Sequence, residues 1–273
     1  MTPLEVHLAE RGFGPLQASV WARFLDAVLD ALEEAVTRVR HPDYWQEHTS
    51  KNGALLKPRP GPAEQHRRLP SEEGVTCALA EQLDEYRKTV PPDHILRSLE
   101  VVFRSEARIS SRRRTGKNSR RIDIKAESQI GREAPFVVFE AKLIVSLKDL
   151  SEAYLGEAGL GCFTLPPEPY PAKGVAGMLA YTVGETTEYW LTAVEDAMAA
   201  AVPVPRSQTR MRRASEGEVA LWSHIDRPLL DNAEPLNVVH LVMQFEAAAT
   251  KGGTKAIEPK HQDSLPDTSG SPT

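Results

Sequence analysis

The chain has 273 residues, enough for one substantial domain with extensions or for two small domains. With 41% hydrophobic and 26% charged residues its composition is that of an ordinary globular protein, so a hydrophobic core can form. A net charge of −5 excludes a globally basic nucleic-acid-binding protein, and any contact with nucleic acid must come from a local basic patch.

The first predicted element is a long amphipathic helix over residues 16–40. Apolar residues recur in it at spacings of three and four, namely Leu16, Val20, Phe24, Leu25, Val28, Leu29, Leu32 and Val36. His41-Pro42-Asp43 predicts a helix stop, and the proline-rich stretch 57–62 predicts a loop or linker. We therefore expect residues 1–64 to form a helical extension and linker, packed on the main domain or on a second subunit.

The main domain is predicted to span residues 65–247 and to begin with a helix. Ser71-Glu72-Glu73 is typical of a helix start, and Pro91-Pro92 sets the latest position for its end. Two strand-like stretches follow around a basic turn, from Leu99 to Ile109 and around Arg121 to Ile124, which predicts a hairpin. The apolar run Pro135 to Phe139 is typical of a strand buried on both faces.

Helices and strands alternate through the rest of the chain. The sequence predicts a helix over 146–158, a strand over 175–183, a helix over 187–201 and a strand over 236–245. Residues 248–273 are poor in hydrophobic residues and rich in Gly, Ser, Pro and Lys, which predicts a disordered tail. This order of elements indicates a mixed α/β domain with a central sheet.

Charged residues interrupt the strand that follows Pro135. Side-chain alternation places Glu140 and Lys142 on the same face of it as Phe136 and Val138. Burying either charge alone is costly, but residues two apart can share one site. On the preceding strand, alternation places Arg121, Asp123 and Lys125 on one face and Ile122 and Ile124 on the other. If the strands are adjacent, Asp123 and Glu140 can converge.

Paired carboxylates beside a lysine suit metal-assisted hydrolysis of a phosphodiester. Mg²⁺ is commonly held by one or two carboxylates together with waters and substrate phosphate. It lowers the pKa of bound water and stabilises charge on the phosphorus oxygens, while a lysine can orient or deprotonate the attacking water. We therefore predict Asp123 and Glu140 as metal ligands and Lys142 as the residue that serves the water and the transition state. The alternative is an ordinary Glu140–Lys142 salt bridge and a surface Asp123 paired with an arginine.

The segment Arg121-Ile122-Asp123-Ile124, followed by Val138-Phe139-Glu140-Ala141-Lys142, resembles the restriction-endonuclease-like superfamily and its PD-(D/E)xK motif. The resemblance covers roughly residues 71–185 and implies an α/β/α sandwich with a central mixed sheet. It also implies a divalent metal, usually Mg²⁺ with Mn²⁺ as a substitute, and an auxiliary glutamate on the first helix of the domain. Glu73 or Glu72 stands where that glutamate is expected, and we take Glu73 for the catalytic and metal-binding role. Ile122 stands where the motif has proline.

Basic residues cluster in the predicted hairpin beside the proposed site. The candidates for nucleic-acid contact are Arg112, Arg113, Arg114, Lys117, Arg120, Arg121 and Lys125. Such a cluster can hold a phosphate backbone, and its binding would weaken with added salt. The alternative is a solvated loop with no ligand.

No feature of the sequence indicates export or membrane insertion. The two cysteines, Cys77 and Cys162, lack metal-ligand spacing and are interpreted as reduced core thiols. The N-terminal residues lack the pattern of a signal peptide, and no uncharged apolar run is long enough to span a bilayer. We expect a cytoplasmic Mg²⁺-dependent nuclease with no membrane partner, acting on DNA in preference to RNA, in prokaryotic restriction, repair or phage defence. A homodimer or partner subunit is left open, and the alternative function is a catalytically inactive nucleic-acid-binding or assembly module.

Overall fold

Seven strands form one sheet in the computed structural model, which describes residues 1–53, 69–109, 120–131, 133–166, 169–201, 204–212, 219–231 and 233–245. The strands are β1 Val102–Ile109, β2 Arg120–Glu127, β3 Phe136–Ile144, β4 Val175–Thr182, β5 Ser207–Arg212, β6 Val219–Ile225 and β7 Leu236–Gln244. Their order across the sheet is β1-β2-β3-β4-β7-β6-β5. β4 pairs in parallel with β3 and β7, and every other neighbouring pair is antiparallel. The predicted mixed α/β fold with a central sheet is confirmed.

Helices cover both faces of this sheet. They are α1 Pro3–Ala9, α2 Pro15–Arg40, α3 Pro42–Asn52, α4 Glu72–Thr89, α5 Ile95–Ser98, α6 Leu147–Asp149, α7 Gly161–Thr164 and α8 Thr187–Ala199, and a π-helical turn, Leu150–Tyr154, continues α6. The buried residues fall into two clusters. The α2-side cluster contains the apolar faces of α1, α2 and α4, and the α8-side cluster contains those of the π-turn, α7 and α8.

Strand β3 contributes to both clusters, as a strand between two helical layers must. Val137, Phe139 and Ala141 pack in the α2-side cluster, whereas Val138 and Ile144 pack in the α8-side cluster. The run of apolar residues before Glu140 therefore has a direct cause, since each face of the strand meets a different apolar layer. The predicted burial of β3 on both faces is confirmed.

Helix α2 packs on the sheet domain, the first of the two positions expected for it. Leu16 and Val20, at its start, are 81% and 37% exposed, but the predicted apolar stripe is buried from Phe24 to Val36. These residues share the α2-side cluster with α4 and with the sheet. Among the described helices none is both long enough and apolar enough to cross a membrane.

Several elements differ from the sequence predictions. Helix α2 ends at Arg40 as expected, but α3 begins at once because Pro42 fits the first position of a helix, where no backbone donor is needed. The helix predicted over 146–158 is a single turn followed by the π-turn. Strands β5 and β6 and the short helices α1 and α5 were not predicted. The proline-rich stretch 57–62 and the predicted disordered tail 248–273 lie outside the described residues.

We predict that Gly177→Ala destabilises the fold. Gly177 pairs with Phe139 across β3 and β4, and a Cβ atom added there would overlap the Phe139 ring. Overpacking of this kind typically costs about 1–3 kcal/mol in the free energy of unfolding. Urea unfolding measures the loss, with Gly14→Ala as the control because nothing lies within 4 Å of the added Cβ. Equal stability of wild type and Gly177→Ala would contradict this packing.

Candidate active site

Strands β2 and β3 stop pairing next to Asp123. Their antiparallel pairs run from Glu127–Phe136 to Ile124–Phe139 and end there. At the next position, Asp123 Oδ2 accepts a hydrogen bond of 2.7 Å from the backbone N–H of Ala141. The carboxylate thus takes the place of a ladder carbonyl for an N–H that would otherwise lack a partner strand. Asp123 is consequently held beside the segment of β3 that carries Glu140 and Lys142.

The other neighbour of Asp123 is irregular as well. Glu106 on β1 has a φ of 47°, in the left-handed region, where non-glycine residues are uncommon. The β1–β2 register is continuous on both sides, but the pair Glu106–Asp123 is missing from it. Ile122 packs in the α8-side cluster and Ile124 in the α2-side cluster. The prediction that both isoleucines fill one face is wrong, because the regular alternation of β2 breaks at Asp123.

Lys142 joins the two carboxylates that flank it in space. Its Nζ lies 2.7 Å from Glu140 Oε1, 3.1 Å from Glu72 Oε1 and 2.7 Å from the carbonyl oxygen of Ala141. These acceptors match the three hydrogens of an ammonium group. Glu140 is 6% and Lys142 8% exposed, so the ion pair is buried, as the alternation of β3 predicts. A structural salt bridge and an active site share this contact, and it does not decide between them.

The helix before the hairpin supplies Glu72 to the site in the place expected for Glu73. Ser71 caps α4 by accepting a hydrogen bond from the Gly74 N–H at 3.0 Å. From the first turn, Glu72 Oε2 accepts a bond of 3.0 Å from the Leu143 N–H, while its other oxygen contacts Lys142. Glu73 is exposed. Consecutive helical residues point about 100° apart, so only one of the two glutamates can face the sheet.

Burial and an excess of acid shift the pKa values of the site. Burial and then the nearby Asp123 raise the pKa of Glu140 to about 7, although Lys142 opposes this. Burial also raises the pKa of Asp123, against the hydrogen bond from Ala141 and the charge of Lys142. For Lys142, burial lowers the pKa, but Glu140 and Glu72 outweigh it and leave the pKa well above its usual range. Lys142 is therefore an ammonium at neutral pH.

One oxygen of the site is buried without a partner. Glu140 Oε2 has no hydrogen-bond donor among the described residues, a rare and costly situation for a carboxylate. A cation at this oxygen would satisfy it. Within the described ranges, no group of three or more His, Cys, Asp and Glu side chains is arranged to hold a metal ion. Mg²⁺ needs fewer protein ligands than that, because it retains several waters and is commonly held by one or two carboxylates.

The predicted nucleic-acid contacts are described only in part. Arg112, Arg113, Arg114 and Lys117 lie outside the described residues, as does the side chain of Arg120. Arg121 forms an exposed ion pair of 3.3 Å with Glu106. Lys125 pairs with Glu127, and its Nζ lies 5.3 Å from the centroid of the Phe136 ring. Both cations have partners within the protein, and their role in binding nucleic acid stays a prediction.

Tyr170, which the sequence analysis did not single out, also lies at the site. Its hydroxyl donates a hydrogen bond to the carbonyl oxygen of Arg121, two residues before Asp123. Burial, followed by the charge of Glu140, raises its pKa above the usual range, and Asp123 contributes to the same shift. No motif or periodicity marks this tyrosine, which occupies the loop before β4.

Comparison of the chain with protein-family models, with curated proteins and with solved structures gives no match. The resemblance to the restriction-endonuclease-like superfamily therefore depends on the residues of the site and on the order of the elements that carry them.

The raised pKa of Glu140 predicts how the stability of the metal-free protein varies with pH. Between its ordinary value of 4.5 and about 7, the folded protein keeps a proton that the unfolded chain has released. The stabilising contribution is complete below the ordinary pKa and is lost as pH rises through the folded one, a change on the order of 3 kcal/mol.

Urea unfolding of wild type and Glu140→Gln at pH 5 and pH 8, with chelator present, measures this change. The glutamine variant cannot ionise, so its stability relative to wild type should increase at pH 8. A stability difference that is the same at both pH values would show that Glu140 titrates normally.

Proposed function

We propose that the protein is a metal-dependent nuclease that hydrolyses phosphodiester bonds in nucleic acid. The observation that carries the proposal is the meeting of the buried Glu140 and Lys142 with the half-buried Asp123 where β2 and β3 stop pairing. Glu140 Oε2 has no hydrogen-bond donor there among the described residues. An ion pair kept only for stability gains nothing from a second, half-buried carboxylate, which raises the pKa of the first. A site for a divalent cation requires that excess of negative charge.

Asp123 and Glu140 would hold the metal, Mg²⁺ with Mn²⁺ as a substitute. When bound, the ion supplies Lewis-acid stabilisation of the phosphoryl oxygens and acidifies water. The ammonium of Lys142 donates hydrogen bonds, orients the attacking water and neutralises charge that develops on the phosphate. Its raised pKa favours this role over that of a general base. Of the two roles open to the lysine from the sequence, the electrostatic one is therefore proposed.

Glu72 positions the other groups. One of its oxygens holds Lys142, and the other holds the backbone of Leu143, the next residue of β3. The helix α4 is thereby tied to the strand that carries Glu140, and the ammonium is fixed relative to both carboxylates. Glu72 is 38% exposed at its side chain, so it can also reach solvent and substrate. We propose it in place of Glu73 as the auxiliary acidic residue.

The order of the elements supports a restriction-endonuclease-like fold. Helix α4 precedes a hairpin whose second strand carries Asp123, the next strand carries Glu140 and Lys142, and β4 then pairs in parallel with β3. The rival proposal, an inactive nucleic-acid-binding or assembly module, does not require all three charged residues to persist together. Their burial in one place favours the enzyme.

We expect cleavage of nucleic acid that depends on metal and on both carboxylates. The full-length chain is incubated with plasmid DNA, single-stranded DNA and RNA, with Mg²⁺, with Mn²⁺ or with chelator. Asp123→Asn and Glu140→Gln should each lower the rate by about 10²-fold or more, the usual loss when a preorganised transition-state contact is removed. Cleavage that survives both substitutions would come from a contaminant, and binding without cleavage in every metal would favour the inactive module.

Lys142→Ala requires a separate folding control. Removing the ammonium leaves the buried carboxylate of Glu140 unpaired, and breaking a buried ion pair costs about 3–5 kcal/mol. Circular dichroism and the melting temperature of each variant establish that lost activity is not lost structure.

Glu72 and Glu73 form a matched pair for testing the auxiliary role. Glu72→Gln removes the negative charge that contacts the Lys142 ammonium. It should lower kcat about tenfold, which corresponds to a rise of about 1.4 kcal/mol in the activation barrier. Glu73→Gln alters an exposed side chain and should leave kcat unchanged. The cleavage rates of both variants are measured side by side at the same metal concentration. A loss of kcat in Glu73→Gln and not in Glu72→Gln would return the auxiliary role to Glu73.

A further inference from the structure

The carbonyl oxygen of Arg121 accepts a hydrogen bond from a tyrosine, at a position of β2 that does not pair with β3. Pairing between β2 and β3 covers residues 124–127 of β2 and does not reach Arg121. The hydroxyl of Tyr170 donates to the Arg121 oxygen, so a side chain supplies a donor to β2 where its pairing with β3 has ended. This hydrogen bond lies two residues from Asp123, on the same strand.

Tyr170 is itself fixed in position. Its backbone N–H donates to the carbonyl oxygen of Cys162 at 2.6 Å, and its ring meets that of Phe163 edge-on, with centroids 5.5 Å apart. Only 6% of the residue is exposed. Cys162 and Phe163 belong to α7 and to the α8-side cluster. The tyrosine therefore connects one helical layer to the backbone of β2 just before the site.

We propose that Tyr170 is a positioning residue for Asp123, holding β2 away from β3 so that the Asp123 carboxylate can occupy the gap and bind the Ala141 N–H. This inference rests on the proposed function where it concerns activity, but the positioning itself is a property of the fold. The hydroxyl of Tyr170 bonds the backbone of Arg121, so its proposed effect on Asp123 is transmitted through β2.

Tyr154 offers a matched control for Tyr170→Phe. Its hydroxyl is also buried in the α8-side cluster, where it bonds His240 Nδ1 at 3.0 Å. Burial alone raises the pKa of Tyr154, whereas the charges of Glu140 and Asp123 also act on Tyr170. Each substitution removes one buried hydroxyl and retains the ring, so a general loss of stability affects both variants. An effect on the site is expected of Tyr170→Phe alone.

The primary measurement is hydrogen exchange of the Ala141 amide in metal-free protein, by NMR. Tyr170→Phe should accelerate this exchange at least tenfold relative to other β3 amides, because Asp123 is no longer held to accept its hydrogen. Tyr154→Phe should leave the ratio of Ala141 exchange to that of the other β3 amides unchanged. A ratio that is unchanged in Tyr170→Phe, or raised equally in both variants, would overturn the positioning role.

Binding of Mn²⁺ alone, followed by calorimetry, and the steady-state rate extend the test to function. Tyr170→Phe should weaken Mn²⁺ binding at least fivefold and lower kcat with little change in KM, whereas Tyr154→Phe should change neither. If wild type does not cleave but the Ala141 exchange responds as expected, the nuclease proposal fails and the positioning role stands. If wild type cleaves and Tyr170→Phe matches it in exchange, Mn²⁺ binding and kcat, the positioning role fails and the nuclease proposal stands.

Discussion

The buried ammonium of Lys142 is the contact on which the geometry of the site depends. It bonds acceptors from α4 and β3, and its charge acts on Asp123 of β2. Three elements that are far apart in the sequence are therefore tied to one cation. Removing such a charge from water is costly unless it is fully hydrogen-bonded, and here three acceptors surround it. The acids in turn need the lysine, since without it their mutual repulsion would oppose folding.

The backbone is arranged to make room for this cluster. An uninterrupted antiparallel ladder would pair Asp123 and Glu140 directly and leave no space between their strands. The ladder instead ends at Ile124, and the side chain of Asp123 takes over as the acceptor for β3. On the far side of β3, pairing with β4 continues through Glu140 and Lys142 to Ile144. The site thus forms beside β3 on the edge where pairing with β2 has ended, while the other edge of β3 stays paired with β4.

The sequence predicted those features that depend on periodicity and local chemistry. Burial of Glu140 and Lys142 followed from side-chain alternation, and the start of α4 at Glu72 followed from the capping residue Ser71. β4 and β7 were predicted to within about two residues because each is a long apolar run, the most reliable kind of sequence signal. Strand β5, by contrast, is short and contains Arg210 and Arg212, and no pattern distinguishes it from a polar loop.

What the sequence did not predict depends on contacts between distant residues. Choosing Glu72 over Glu73 requires the rotation of α4 about its axis, which is set by its packing on α2 and on the sheet. The split of Ile122 and Ile124 between two clusters coincides with the missing Glu106–Asp123 pair, which involves another strand with an irregular backbone. Tyr170 is brought to the site by its contacts with Cys162 and Phe163 of α7. Each of these is a tertiary effect that a local pattern does not encode.

The balance of charge favours the proposed active site over a purely structural ion pair. Lys142 can neutralise one carboxylate in full, yet Glu140, Asp123 and Glu72 all act on it. Glu140 responds by holding a proton near neutral pH, and one of its oxygens has no donor among the residues described. Selection for stability alone would replace such a group with an amide or an apolar side chain, because a buried excess charge is seldom compensated. We propose a second cation as the reason for its presence where β2 and β3 stop pairing, and that requirement connects the fold to the proposed chemistry.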